Sequence, residues 1–93
     1  MVNSRYSQSF PLGRVVMTLA VRDLIDARDI HCALQRHARK DWGDVSLHDR
    51  ECNRLALRNG GRLFSTFTDR RQCALYIISE ADRSQTLILL SGG

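Results

Sequence analysis

Arg62-Leu63-Phe64-Ser65-Thr66-Phe67-Thr68, then Cys73-Ala74-Leu75-Tyr76-Ile77-Ile78-Ser79, then Thr86-Leu87-Ile88-Leu89-Leu90, is the stretch whose reading decides the fold. The first segment alternates apolar and polar residues, the second is rich in β-formers around Leu75-Tyr76-Ile77-Ile78, and the third is an apolar run; each reads as a strand. Asp69-Arg70-Arg71-Gln72 and Glu80-Ala81-Asp82-Arg83-Ser84 are the connections between them. Three consecutive strands with short connections predict an antiparallel meander, whose apolar face must be covered by helices from upstream.

Asn59-Gly60-Gly61, just before the meander, is the strongest local stop signal in the chain, because glycine supplies the left-handed cap that ends a helix. The helix it ends is predicted from about Leu47 to Asn59, with Ser46 and Asp49 resembling a capping box and Cys52, Leu55 and Ala56 marking the buried face. Asp41-Trp42-Gly43-Asp44 interrupts the pattern before it, with Gly43 a natural turn residue. Further upstream, Asp29 is a candidate N-cap for a helix burying Ile30, Ala33, Leu34, His37 and Ala38, spaced i, i+3, i+4, i+7 and i+8. Its opposite face, with His31, Gln35, Arg36, Arg39 and Lys40, is polar. Thr18 caps a shorter helix running through Asp26, and Val15-Val16-Met17 reads as a short strand.

The expected architecture is therefore α+β: a short N-terminal strand, two to three helices, then a three-stranded antiparallel β-meander. Residues 1–9 are expected to be a flexible N-terminal arm and residues 10–93 a single domain. At 93 residues, 43% hydrophobic and 26% charged, the composition excludes intrinsic disorder and allows one modest core. The apolar runs are far shorter than a membrane helix needs, and Met1 to Ser9 is polar with no apolar region behind it, so neither a membrane span nor a secretory signal is expected. Cys32, Cys52 and Cys73 are an odd number without paired spacing, which predicts buried free thiols and a reducing, cytoplasmic location.

The formal net charge of +4 is carried almost entirely by arginine, Lys40 being the only lysine. Arg50, Arg54 and Arg58 are spaced i, i+4 and i+8, so their guanidinium groups form one stripe along the third helix. Such a stripe suits phosphates or an acidic partner, since arginine presents donors in a fixed fork, although a charged outer face is also what any amphipathic helix shows. Arg36, Arg39, Lys40, Arg70 and Arg71 add basic charge, but no aromatic residue interleaves them to stack on bases. Trp42 is either an interface anchor, as tryptophan often is, or a cap on the core between two helices.

No catalytic residue, metal or cofactor is expected. His48 and Cys52 at i, i+4 are one half of a zinc pattern that needs a second half, and Cys52 and Cys73 occupy apolar positions where thiols are inert. Gly60-Gly61 follows a helix instead of preceding one, the wrong polarity for a phosphate loop. Asp41, Asp44, Glu80 and Asp82 read, on the residues alone, as solvated turns or caps.

Asp41-Trp42-Gly43-Asp44, Gly60-Gly61-Arg62-Leu63 and Ile77-Ile78-Ser79-Glu80-Ala81-Asp82-Arg83-Ser84 together resemble three blocks of one family of small proteins from bacterial plasmids and integrative elements, whose members are often labelled plasmid-related protein. The resemblance covers about residues 10–90 in order and spacing, and Glu-Ala-Asp-Arg-Ser is its most specific part. It implies a mobile-element protein that binds and does not catalyse, an inhibitor of a host defence complex of the anti-CRISPR or anti-restriction kind acting by protein contact. A basic nucleic-acid-binding accessory or regulatory protein is the alternative. The interface residues expected on either reading are Arg50, Arg54, Arg58, Trp42, Asp44, Glu80, Asp82 and Arg83.

Overall fold

The computed structural model describes residues 9–91, so the expected N-terminal arm lies outside the described residues except for Ser9, whose N–H donates to the Ala38 carbonyl at 2.8 Å. The elements are β1 (Arg14–Met17), α1 (Leu19–Leu24), α2 (Ala27–Ala38), α3 (Leu47–Asn59), β2 (Leu63–Thr68), β3 (Ala74–Ser79) and β4 (Gln85–Leu90). The class is α+β.

β2, β3 and β4 form the meander, in register at Phe64↔Ile78 and Ile77↔Ile88. The sheet, however, has four strands and not three: β1 adds parallel to β4, giving the order β1-β4-β3-β2. The Arg14 N–H donates to the Ser84 carbonyl at 3.0 Å and the Thr18 N–H to Ile88 at 3.1 Å, so β1 fills the outer ladder of β4. Four residues carry no signal of which strand they pair with when three helices intervene.

Period-two alternation divides the sheet cleanly. Leu63, Phe67, Leu75, Ile77 and Ile88 face inward and are buried with Val21, Ile25, Ile30, Ala33, Leu34 and Ala38 of the first two helices. Burying each large side chain contributes on the order of 1.5–3 kcal/mol. Phe64, Tyr76, Ile78, Leu87 and Leu89 occupy the other face, half-buried, with the Phe64 and Tyr76 rings edge to face at 5.1 Å.

The helix caps follow the sequence with one exception. Thr18 Oγ1 accepts from the Val21 N–H at 3.3 Å and Ser46 Oγ from Asp49 at 3.1 Å, as expected. For α2 the cap is Asp26, accepting from Arg28 at 2.8 Å, and not Asp29. Asp29 instead sits in the first turn and receives Arg70 from the β2–β3 hairpin at 2.9 Å, a contact between residues 41 apart that local spacing cannot reveal. Gly60 closes α3 at φ +81°, its N–H returning to the Ala56 carbonyl at 2.9 Å.

α2 buries the stripe its spacing predicts, but α3 does not. Asn53 and Ala56 are its buried residues, while Cys52 and Leu55 are exposed. The reason is position: α3 flanks the β2 edge, so its inward contact is with strand backbone and selects an amide. All three cysteines are likewise exposed, against the expectation of buried thiols. Among the described residues no helix is long and apolar enough to cross a membrane.

Candidate binding surface

The outward backbone groups of β2 explain how α3 and the preceding loop are held. The Asn53 amide donates to the Phe64 carbonyl at 2.8 Å and accepts from the Phe64 N–H at 3.0 Å, imitating a neighbouring strand. Two residues on, the Thr66 N–H donates to Trp42 at 3.1 Å and the Asp44 N–H to Thr66 at 2.9 Å, so the loop runs beside β2 as a short parallel bridge at Gly43. A side chain there is impossible without movement, since a Cβ on Gly43 would lie 2.1 Å from the Thr66 carbonyl oxygen, at φ +72°.

Behind this edge lies a closed polar chain. His37, Ser65, Ser79 and Thr86 are all fully buried. His37 Nδ1 meets Ser65 Oγ at 2.5 Å, His37 Nε2 meets Ser79 Oγ at 2.9 Å, Ser79 Oγ meets Thr86 Oγ1 at 2.7 Å, and Thr86 donates to the Leu12 carbonyl at 2.7 Å. The last bond orients the rest. Thr86 has spent its proton, so Ser79 donates to Thr86, His37 Nε2–H donates to Ser79, and Ser65 donates to Nδ1. This arrangement suits a neutral imidazole. Burial, assisted by the charge of Arg83, lowers the His37 pKa to about 4. Phe10 and Trp42 seal the ring, each at 5.4 Å. A serine beside a histidine is the beginning of a hydrolytic site, but this pair has no open side for a substrate, and its role is to fix α2 on the sheet.

The residues singled out from the sequence occupy different settings. Trp42 is 5% exposed and packs on Phe10 and His37, which settles its geometry as a cap on the core. Arg83, half-buried at φ +61°, turns inward and donates to the carbonyls of Gly61 (2.5 Å), Glu80 (2.9 Å), Ala81 (3.2 Å) and Ala56 (3.2 Å). It thereby ties the β3–β4 turn to the carbonyl end of α3, where a cation is electrostatically favoured. Glu80 reaches out of the turn to pair with Arg62 at 3.4 Å, and Asp82 accepts from the Ser84 N–H within it at 2.9 Å. Asp44 is exposed beyond the Gly43 bridge.

Arg50, Arg54 and Arg58 do form one exposed stripe, and α3 lays it between the Asp44 loop at one end and the Glu80–Ser84 turn at the other. Arg54 is held by Glu51 at 3.0 Å, whereas Arg50 and Arg58 make no ion pair among the described residues. Arg36 pairs with Asp41 at 2.7 Å and lies 4.7 Å over the Phe67 ring. This hydrogen bond, with smaller help from the Gly43 N–H and the charges of Arg36 and Arg50, holds the Asp41 carboxyl below its ordinary range.

Two features of this surface were not legible in the sequence. Leu47 and Leu55, the second expected to be buried, are 82% and 42% exposed on the same outward side of α3. Beside Leu55 an open groove of about 360 Å³ is lined by Cys52, Leu55, Asn59, Gly60 and Arg62. Cys52 Sγ stands 3.6 Å from His48 Nε2, but no cluster of three metal-ligating side chains exists among the described residues. Comparison with protein-family models, with curated proteins and with solved structures finds no match to this chain.

Proposed function

We propose that this is a non-enzymatic binding protein whose interface is the outward face of α3. The observation that carries the reading is the pairing on one helix of exposed Leu47 and Leu55 with Arg50, Arg54 and Arg58. Exposed apolar groups beside arginine suit a protein partner with an apolar centre and acidic rim, because burial of the leucines supplies affinity while the charges set orientation. A purely electrostatic partner such as nucleic acid would leave the leucines without a role. The resemblance of the Trp42, Gly60–Gly61 and Glu80–Ser84 blocks to mobile-element proteins suggests the partner's kind: a nucleic-acid-processing defence complex that this chain inhibits by occupying a surface.

The alternative is direct nucleic-acid binding, favoured by Arg50 and Arg58, which lack acidic partners among the described residues. An affinity capture from bacterial lysate, with and without nuclease, separates the two. A protein retained after nuclease and lost with Leu47→Glu and Leu55→Glu supports the protein interface. Retention abolished by nuclease, with binding to purified nucleic acid that falls steeply with salt and is lost in Arg54→Glu/Arg58→Glu, assigns the stripe to nucleic acid.

A further inference from the structure

We propose that the free edge of β1 pairs antiparallel with β1 of a second copy of this chain, joining two four-stranded sheets about a twofold axis at Val16. In a parallel ladder the residues of a strand bond alternately to either side. Arg14, Val16 and Thr18 face β4, as the Arg14–Ser84 and Thr18–Ile88 bonds show, which leaves the N–H and C=O groups of Val15 and Met17 pointing away from the sheet. Among the described residues nothing bonds them. The opposite edge is covered at two of its outward-facing positions, Phe64 and Thr66.

The pattern left open on β1 is complementary to itself. Setting Val15 of one copy opposite Met17 of the other makes all four exposed groups of each strand donors and acceptors to their symmetry mates, as an isologous contact requires. The two Val16 residues then meet at the axis. Charge permits this register: Arg14, the only charged residue of the strand, falls opposite Thr18 of the second copy, and the two arginines lie at opposite ends of the junction.

Area decides that the contact extends beyond the strands, since a stable dimer buries about 800 Å² per partner and a four-residue edge falls short of that. The surroundings offer further apolar surface. Of the five large apolar side chains left exposed among the described residues, Val15, Leu19 and Leu24 belong to β1 and the helix that follows it. Met17 also opens onto an apolar groove of about 410 Å³ lined by Ile25, Ile30 and Leu34. On the inward side, Val15 of the second copy stands next to Met17 at the mouth of this groove. Because α3 flanks the far edge of each sheet, the dimer presents two separate α3 faces at its ends.

Sedimentation equilibrium of the full chain in the high micromolar range is expected to give about twice the protomer mass of 10.6 kDa. Association should tighten as salt rises, because two copies of charge +4 repel. Val16→Lys, which puts two ammonium groups at the axis, should give a monomer, as should Val16→Glu, and an equal mixture of the two should recover the dimer. Val16→Cys, with the three exposed natural cysteines replaced by serine, should oxidise to a disulfide-linked dimer, since the facing Cα atoms of such a pair are about 4.5 Å apart. This readout holds even if a charged residue at position 16 prevents folding. A monomeric wild-type chain overturns the proposal, including one that dimerises only after residues 1–8 are removed, which would assign the edge to the chain's own N-terminus. A dimer indifferent to Val16→Lys, or Val16→Cys that does not cross-link, overturns it equally.

Discussion

The two edges of the sheet are treated in opposite ways. Along β2 the backbone groups of Phe64 and Thr66 are taken by the Asn53 amide and by the Trp42 carbonyl and Asp44 N–H, and Gly43 lets the loop approach closely enough to do so. Along β1 the corresponding groups of Val15 and Met17 bond to nothing among the described residues, and the strand carries no proline, bulge or inward charge of the kind that discourages pairing. The difference teaches that covering an edge is a structural act performed by specific residues, and that its absence on β1 marks a surface able to accept a strand.

The largest effect is expected at Gly43. Gly43→Ala forces a left-handed φ on alanine and drives a methyl into the Thr66 carbonyl, so about 3–4 kcal/mol of stability should be lost in urea unfolding. If the loss is under 1 kcal/mol, the loop is not anchoring this edge. Asn53→Ala removes both edge bonds at once and leaves two backbone groups unpaired, which should cost about 3 kcal/mol. Hydrogen exchange should show the Phe64 amide losing protection ahead of Ile77.

Between the edges, the His37 chain predicts a pH signature. The unfolded imidazole titrates near 6.5 and the folded one near 4, so the unfolded state binds the extra proton between these values. Stability should be constant above about pH 6.5, fall as pH drops towards 4, and lose at most about 3 kcal/mol over that window. His37→Gln should flatten this part of the profile, and an unchanged slope would show that the proton goes elsewhere. Below the window the carboxylates of Asp26, Asp29, Asp41, Glu51 and Asp82, all held low by arginine or backbone donors, add their own loss.

Arg83→Gln should cost about 2 kcal/mol, because the four carbonyls it serves cannot all be reached by an amide. The smallest effect belongs to the open edge. Val15→Thr, at 37% exposure, should change the urea midpoint by less than about 0.5 kcal/mol in dilute solution, where pairing between copies does not contribute. A large loss there would mean that β1 is already covered.

These contrasts also show which interactions could be read in advance. The α3 helix, its Ser46 cap and its glycine stop were all visible because every determinant lies within thirteen residues of the next. Placement of the Arg50, Arg54 and Arg58 stripe followed from the same periodicity. Trp42, Arg83 and Asn53 were not readable in this way. Each is a polar or aromatic group whose partner lies on another element, and the same residue types serve equally well at an interface.

By itself the sequence determined the α+β class, the three antiparallel strands, the helix limits to within a few residues and the buried stripe of α2, since all of these follow from period, caps and turns acting locally. The tertiary structure alone decided that β1 joins β4, that α3 lies against an edge with its leucines outward, and that His37 is buried between Ser65 and Ser79. The physical reason is common to all three. They depend on which hydrogen-bonding groups are left unpaired once the strands are assembled, and that inventory exists only in the folded chain.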